Sequence, residues 1–153
     1  MKILIVSDSH GNDEILRDLY KMYPNMDYYL HAGDSQSSLM AIYPFDSVMG
    51  NCDFYDFDLV RKIYTPMGYL LMRHYPKYSK EEIKDVKFFI HGHIHVARVY
   101  KENELYVICP GSVSLPRDGT NGTYMIMEIN ENDSTITTFD VETKNILTRE
   151  KIM

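Results

Sequence analysis

Residues 2–23 read KILIVSDSHGNDEILRDLYKMY. Ile3 to Val6 form an unbroken apolar run, which predicts a strand over residues 2–7 that is buried on both faces. Polar residues and Gly11 follow. Beyond Asn12, a good helix N-cap, apolar residues fall at positions 15, 16, 19, 20, 22 and 23. That is helical spacing. Pro24 and Asn25 stop the helix. A buried strand that leaves through a glycine–polar loop into a helix is the first half of a βαβ crossover.

The unit recurs. DYYLHAGD (27–34) predicts a second strand ending at a glycine, QSSLMAIY (36–43) a short helix, and DSVMGNCD (46–53) a third short strand ending at Gly50. Strands alternating with helices predict a largely parallel sheet. In such sheets the ligand crevice lies off the carboxyl ends of the strands. All three loops should therefore open on one edge.

After residue 58 the character changes. LVRKIYT (59–65), GYLLMRH (68–74), VKFFIHG (86–92), VARVYKE (96–102) and ELYVICPG (104–111) predict short strands, interrupted only by a helix over SKEEIKD (79–85). Glu102–Asn103 predicts a hairpin turn, residues 122–142 a second hairpin, and NILTREKI (145–152) a last strand. With no repeats or linkers, residues 1–153 read as one mixed α/β (α+β) domain of two sheets.

The chain has 153 residues, 44% hydrophobic and 25% charged, ordinary for a soluble domain. A domain this size buries roughly 68–70% of its unfolded surface and needs neither disulfide nor structural metal to fold. Its two cysteines, Cys52 and Cys109, are no disulfide framework and fit a reducing compartment. The N-terminal apolar run is too short for a signal-peptide core or a membrane span, so the expected location is the cytoplasm. A net charge of -6 without a basic block argues against stable nucleic-acid binding but not against a small anionic substrate. The 13 tyrosines mark no single site and leave a homo-oligomer interface open.

The strand ends carry the chemistry. The first offers Asp8 and His10, the second Asp34, the third Asn51, the GYLLMRH strand His74, and the HGHIH strand His93 and His95. Each alone reads as a turn residue, a helix cap or a satisfied histidine. Jointly, on one predicted edge, they read as metal ligands. His93 and His95 share a face through the two-residue period of a strand. Oxygen and nitrogen donors without a certain thiolate suit Mn, Fe, Zn, Co or Ni better than Ca or Mg. Seven donors exceed one tetrahedral zinc and suit two ions sharing a carboxylate, about 3.5–4 Å apart.

In this order, DSH…GD…GNCD…H…GHIH resembles the calcineurin-like metallophosphoesterase superfamily, and more narrowly its small YfcE-type phosphodiesterases. The resemblance covers nearly the whole chain, including CPGSVSLPR (109–117). It implies a four-layer αββα sandwich of two mixed sheets with a dinuclear site at the strand C-terminal ends. By motif, Asp8, His10 and His95 hold one ion, Asn51, His74 and His93 the other, and Asp34 bridges them. Manganese heads the implied metals. The implied reaction is hydrolysis of a small phosphodiester by in-line attack of a hydroxide bridging the ions. Asn51, Cys52 and His74 are the candidates for catalytic contact.

The chain departs from the superfamily pattern in two places. Many members carry His where this chain has Cys52. A cysteine is a poor stand-in for a charged imidazole, and a small buried filler is the competing reading. His74 is usually followed by glycine; here Tyr75 and Pro76 follow and should narrow the site. His91 and His31 read as packing or as support for the ligands. Arg117 could reach a phosphate oxygen or make a surface ion pair. Asn12 could cap the helix or touch substrate. The rival functions are a phosphomonoesterase and a silent scaffold like the retromer subunit of the same superfamily.

Overall fold

Strand β1 (Lys2–Val6) splits its apolar run between two layers. Ile3 and Ile5 face the core between the sheets, and Leu4 and Val6 face helix α1 (Asp13–Met22). All four are fully buried, which is why no polar residue interrupts the run. Asn12 caps α1 by accepting the Ile15 N–H, and Leu16 and Leu19 are the face it buries. The computed structural model describes every residue, 1–153.

The remaining strands are β2 (Tyr28–His31), β3 (Asp46–Ser47), β4 (Val60–Thr65), β5 (Gly68–Arg73), β6 (Val86–Ile90), β7 (Ala97–Glu102), β8 (Leu105–Pro110), β9 (Thr123–Ile129), β10 (Ser134–Asp140) and β11 (Ile146–Ile152). They form two mixed sheets, ordered β11-β10-β9-β1-β2-β3 and β4-β5-β6-β8-β7. The parallel neighbours are β1–β2–β3 in one sheet and β5–β6–β8 in the other. The carboxyl ends of β1, β2, β5 and β6 therefore come together at one rim of the sandwich. Ile3, Ile5, Leu30, Leu70, Met72, Phe88, Ile90 and Ile108 are among the buried side chains that join the sheets.

The expected sandwich of two mixed sheets is present, but of the two expected outer helical layers only one is helical: α1 packs on the first sheet, and turns cover the second. The helix expected over residues 36–43 is a series of turns, and Pro44, which has no N–H to donate, blocks its extension. The helix expected over residues 79–85 is also turns. Ser79 and Glu82 do exchange the reciprocal bonds of a helix start. Seven residues do not repay helix nucleation, and β6 begins at once. Tyr78 and Ile83 from this segment cover Phe89 and Leu71 on the outer face of the second sheet. The third strand is only Asp46–Ser47, and the β7–β8 turn falls at Asn103–Glu104, one residue later than expected. No helix is long and apolar enough to cross a membrane.

Candidate metal centre

Backbone bonds continue past the ends of the parallel strands and lock the loops together. Asp8 N–H donates to Gly33 O, His10 N–H to Asp34 O, and Gly92 N–H to His74 O. These loops bring all seven expected donors into one cleft. Five of them, Asp8, His10, Asp34, His93 and His95, have positive φ angles of 45–75°. For residues other than glycine this costs on the order of 1–3 kcal/mol each and persists only where surroundings over-determine the backbone.

The donors form two clusters. In the first, His95 Nε2 lies 3.2 Å from Asp8 Oδ1, and His10 Nε2 lies 3.8 Å from that oxygen and 3.4 Å from His95 Nε2. In the second, Asn51 Oδ1 lies 2.9 Å from His74 Nε2 and 3.1 Å from His93 Nδ1. Asp34 Oδ2 stands between them, 3.3 Å from His74 Nε2 and 3.9 Å from His10 Nε2. Donors about 2.1 Å from a common ion sit roughly 3.0–3.4 Å apart, which most of these separations match; the two from His10 to the carboxylate oxygens, at 3.8 and 3.9 Å, are longer.

The hydrogen bonding fits metal ions independently. His10 Nδ1 donates to Gln36 Oε1, His74 Nδ1 to Ala32 O and His95 Nδ1 to Leu115 O, at 2.7 Å each. Each of these imidazoles in its neutral form therefore turns a bare Nε2 into the cleft. Two such lone pairs, on His10 and His95, face each other. Asp8 Oδ2 is occupied by Ser7 Oγ–H and His93 N–H, while buried Asp8 Oδ1 has no partner at all. Lone pairs facing lone pairs around an orphaned carboxylate oxygen suit a bound cation.

The electrostatics agree. Burial alone would raise the Asp34 carboxyl, but the neighbouring His74 imidazole, once protonated, and the Cys52 N–H outweigh it and hold it at about 2. Burial opposes protonation of His74, yet Asp34 and Asp8 win and raise it. The carboxylates thus draw positive charge to this point. Burial pushes the Asp8 carboxyl up, against pulls from Ser7, His74 and His95.

The remaining candidates divide. Cys52 is half-buried in the cleft, its N–H on Asp34 Oδ1 at 2.8 Å and its Sγ accepting from Asn51 Nδ2. Burial and the Asp34 charge push its thiol up, so it stays protonated. Arg117 lines the cleft of about 180 Å³, its N–H on His95 O. Asn12 does not line that cleft. It caps α1 and borders a separate depression with Ile15 and Ser114. His91 is buried, donates to Gly92 O from Nδ1, and meets Arg98 at Nε2. His31 accepts the Gly33 N–H at Nδ1 and bonds Ser9 through Nε2, bracing two ligand loops. Burial pulls both of these imidazoles down to about 4, so both are neutral.

Three positioning residues carry no sequence signal as ligands. The Asp53 carboxylate accepts the backbone N–H groups of Asp34, Gln36 and Gly50, pinning the β2 loop to the β3 loop. Ser112 and Ser114 donate to carbonyl oxygens of the Asp8–Ser9 turn. Asp53 closes the GNCD motif, the one hint available beforehand.

The chain and its fold are similar to those of known proteins. The model of the calcineurin-like phosphoesterase superfamily domain matches residues 1–132. The probable metallophosphoesterase YsnB of Bacillus subtilis is 35% identical, over 92% of this chain and 91% of its own. A predicted phosphoesterase from Streptococcus pneumoniae superposes with a TM-score of 0.85 at 21% identity, covering 99% of this chain and 96% of that one. The phosphoesterase YfcE from E. coli gives 0.76 at 19% identity, covering 98% of each chain. Vps29 from Entamoeba histolytica gives 0.74 at 17% identity, covering 99% and 98%.

Proposed function

The chain belongs to the calcineurin-like phosphoesterase superfamily, and on that premise we propose that it is a dinuclear, manganese-dependent phosphodiesterase acting on a small phosphodiester. The observation that carries this reading is the pair of donor clusters with Asp34 between them. Asp8, His10 and His95 would hold one ion, Asn51, His74 and His93 the other, and Asp34 both. When bound, the ions would supply ionised water near neutral pH and neutralise charge on the phosphoryl oxygens.

The chain's own residues do the rest. Asp34 stays ionised down to about pH 2, so no proton competes for its place. Gln36, Ala32 and Leu115 hold three imidazoles in the tautomer that offers Nε2. Arg117, whose backbone N–H is tethered to His95 O at the cleft, would meet a non-bridging phosphate oxygen. Cys52 offers a neutral thiol where an imidazolium would assist a poor leaving group, which favours substrates that leave without help. The acidic net charge without a basic block fits a small phosphate ester better than a nucleic-acid partner, and the short N-terminal apolar run fits the cytoplasm rather than a membrane. Vps29 from Entamoeba histolytica has been solved with zinc, so a metal alone does not separate the scaffold reading from the enzyme, and turnover does.

Metal content by mass spectrometry, paired with hydrolysis of bis(p-nitrophenyl) phosphate in Mn²⁺, tests the reading. About two ions per chain and turnover are expected. A fully loaded protein that leaves the diester intact would point to the scaffold instead. A Cys52→His variant should shift the diester-to-monoester ratio towards monoesters. An unchanged ratio removes Cys52 from substrate choice.

A further inference from the structure

A second hollow, of about 810 Å³, adjoins the metal cleft, and His93 lines both. Met49, Leu59, Val60, Tyr75 and Pro76 supply its apolar walls. We propose that this hollow is the subsite for the ester group of the substrate, and that it selects a planar aromatic group. The inference rests on the phosphodiesterase reading and adds the substrate class to it.

Size separates the two spaces. The metal cleft, at about 180 Å³, has room for little beyond a phosphate. The neighbouring hollow falls in the range of small-molecule sites, roughly 300–1,000 Å³. The arginine in the hollow, Arg73, is taken up by Glu82 and by Lys77 O, which leaves the Lys77 ammonium as the hollow's one cation without an ion pair.

Tyr75 joins the spaces. Its ring centroid lies 4.9 Å from that of His93 and 5.4 Å from that of His74. One part of the ring thus rests on two candidate ligands while the residue stays 43% exposed towards the hollow. Leu59, which also lines the hollow, is 68% exposed. An ester group attached to a phosphate at the metal centre must pass His93 to reach either one. A flat ring laid against Tyr75 gains offset or edge contacts, beyond its area, that an alkyl chain does not.

Calorimetry of the manganese-loaded protein with phenylphosphonate and methylphosphonate tests this without turnover. Phenylphosphonate should bind about tenfold more tightly, the value of one well-buried ring contact. Tyr75→Ala and Leu59→Asp should each collapse that ratio towards one, and Tyr75→Phe should keep it. Equal affinities in the wild type, or a ratio untouched by both variants, overturns the subsite alone. If neither phosphonate binds, the phosphodiesterase reading falls, and the subsite with it.

Discussion

Asp34→Ala should bind at most one manganese ion and hydrolyse bis(p-nitrophenyl) phosphate more than about 1,000-fold more slowly than wild type. Changes one shell removed from a metal already cost 10–100-fold. Asp34 is nearer than that: its Oδ2 stands between the clusters, at 3.3 Å from His74 and 3.9 Å from His10. Its other oxygen holds the Cys52 N–H, so its loss also frees the loop that carries Asn51. Asp34→Asn separates the two roles. It keeps an acceptor for Cys52 and loses the charge that draws cations. It should recover stability but not the second ion. Metal content by mass spectrometry and the initial rate, on the same preparations, are the measurements. An Asp34→Ala protein with two ions and wild-type rate would leave the shared-ligand geometry without a function.

The seven donors are legible in the chain because a parallel sheet fixes where strands end. The two-residue strand period expected to put His93 and His95 on one face does not hold: β6 ends at Ile90, both residues lie in the loop beyond it with left-handed backbone, and His93 meets Asn51 while His95 meets Asp8. Asp8, Asp34 and His93 could be placed on one rim from the strand ends alone. Asp53 could not, because an aspartate after GNC looks like any turn residue. Its role appears only when the N–H groups of Asp34, Gln36 and Gly50 converge on it from two loops. The left-handed backbone at Asp8, His10, Asp34, His93 and His95 is equally silent in the sequence. None is a glycine, so no residue type announces the conformation. It is imposed by loop-to-loop bonds between segments far apart in the chain. Tyr75 is intermediate: its departure from the family pattern is visible, but that it walls a second hollow is a matter of packing.

Gly50→Ala should be the most damaging single methyl group in the chain. In sequence Gly50 looks like the glycine of a strand-to-loop turn. Its φ is not in the left-handed region, however, so conformational freedom is not why glycine stands there. The reason is room. A Cβ at Gly50 would lie 2.1 Å from Asp34 Oδ1 and 2.5 Å from the Asp34 backbone nitrogen. A side-chain clash could relax, but a clash with backbone cannot, because the same Asp34 N–H and the Gly50 N–H are both bound to Asp53 Oδ2. Overpacking of this kind costs about 1–3 kcal/mol or more. In a domain of this size that lowers Tm by roughly 2–4 °C per kcal/mol. The larger effect falls on the metals, since Asp34 must move to admit the methyl. Gly119→Ala is the control. Its φ is +77°, and nothing lies within 4 Å of the added carbon. It should lose only about 1–2 kcal/mol to left-handed strain. Thermal melts with and without Mn²⁺ distinguish the two. Gly119→Ala should keep the metal-induced rise in Tm, and Gly50→Ala should lose it. If Gly50→Ala were stabilised by Mn²⁺ as fully as wild type, Asp34 would have to be dispensable for holding the ions.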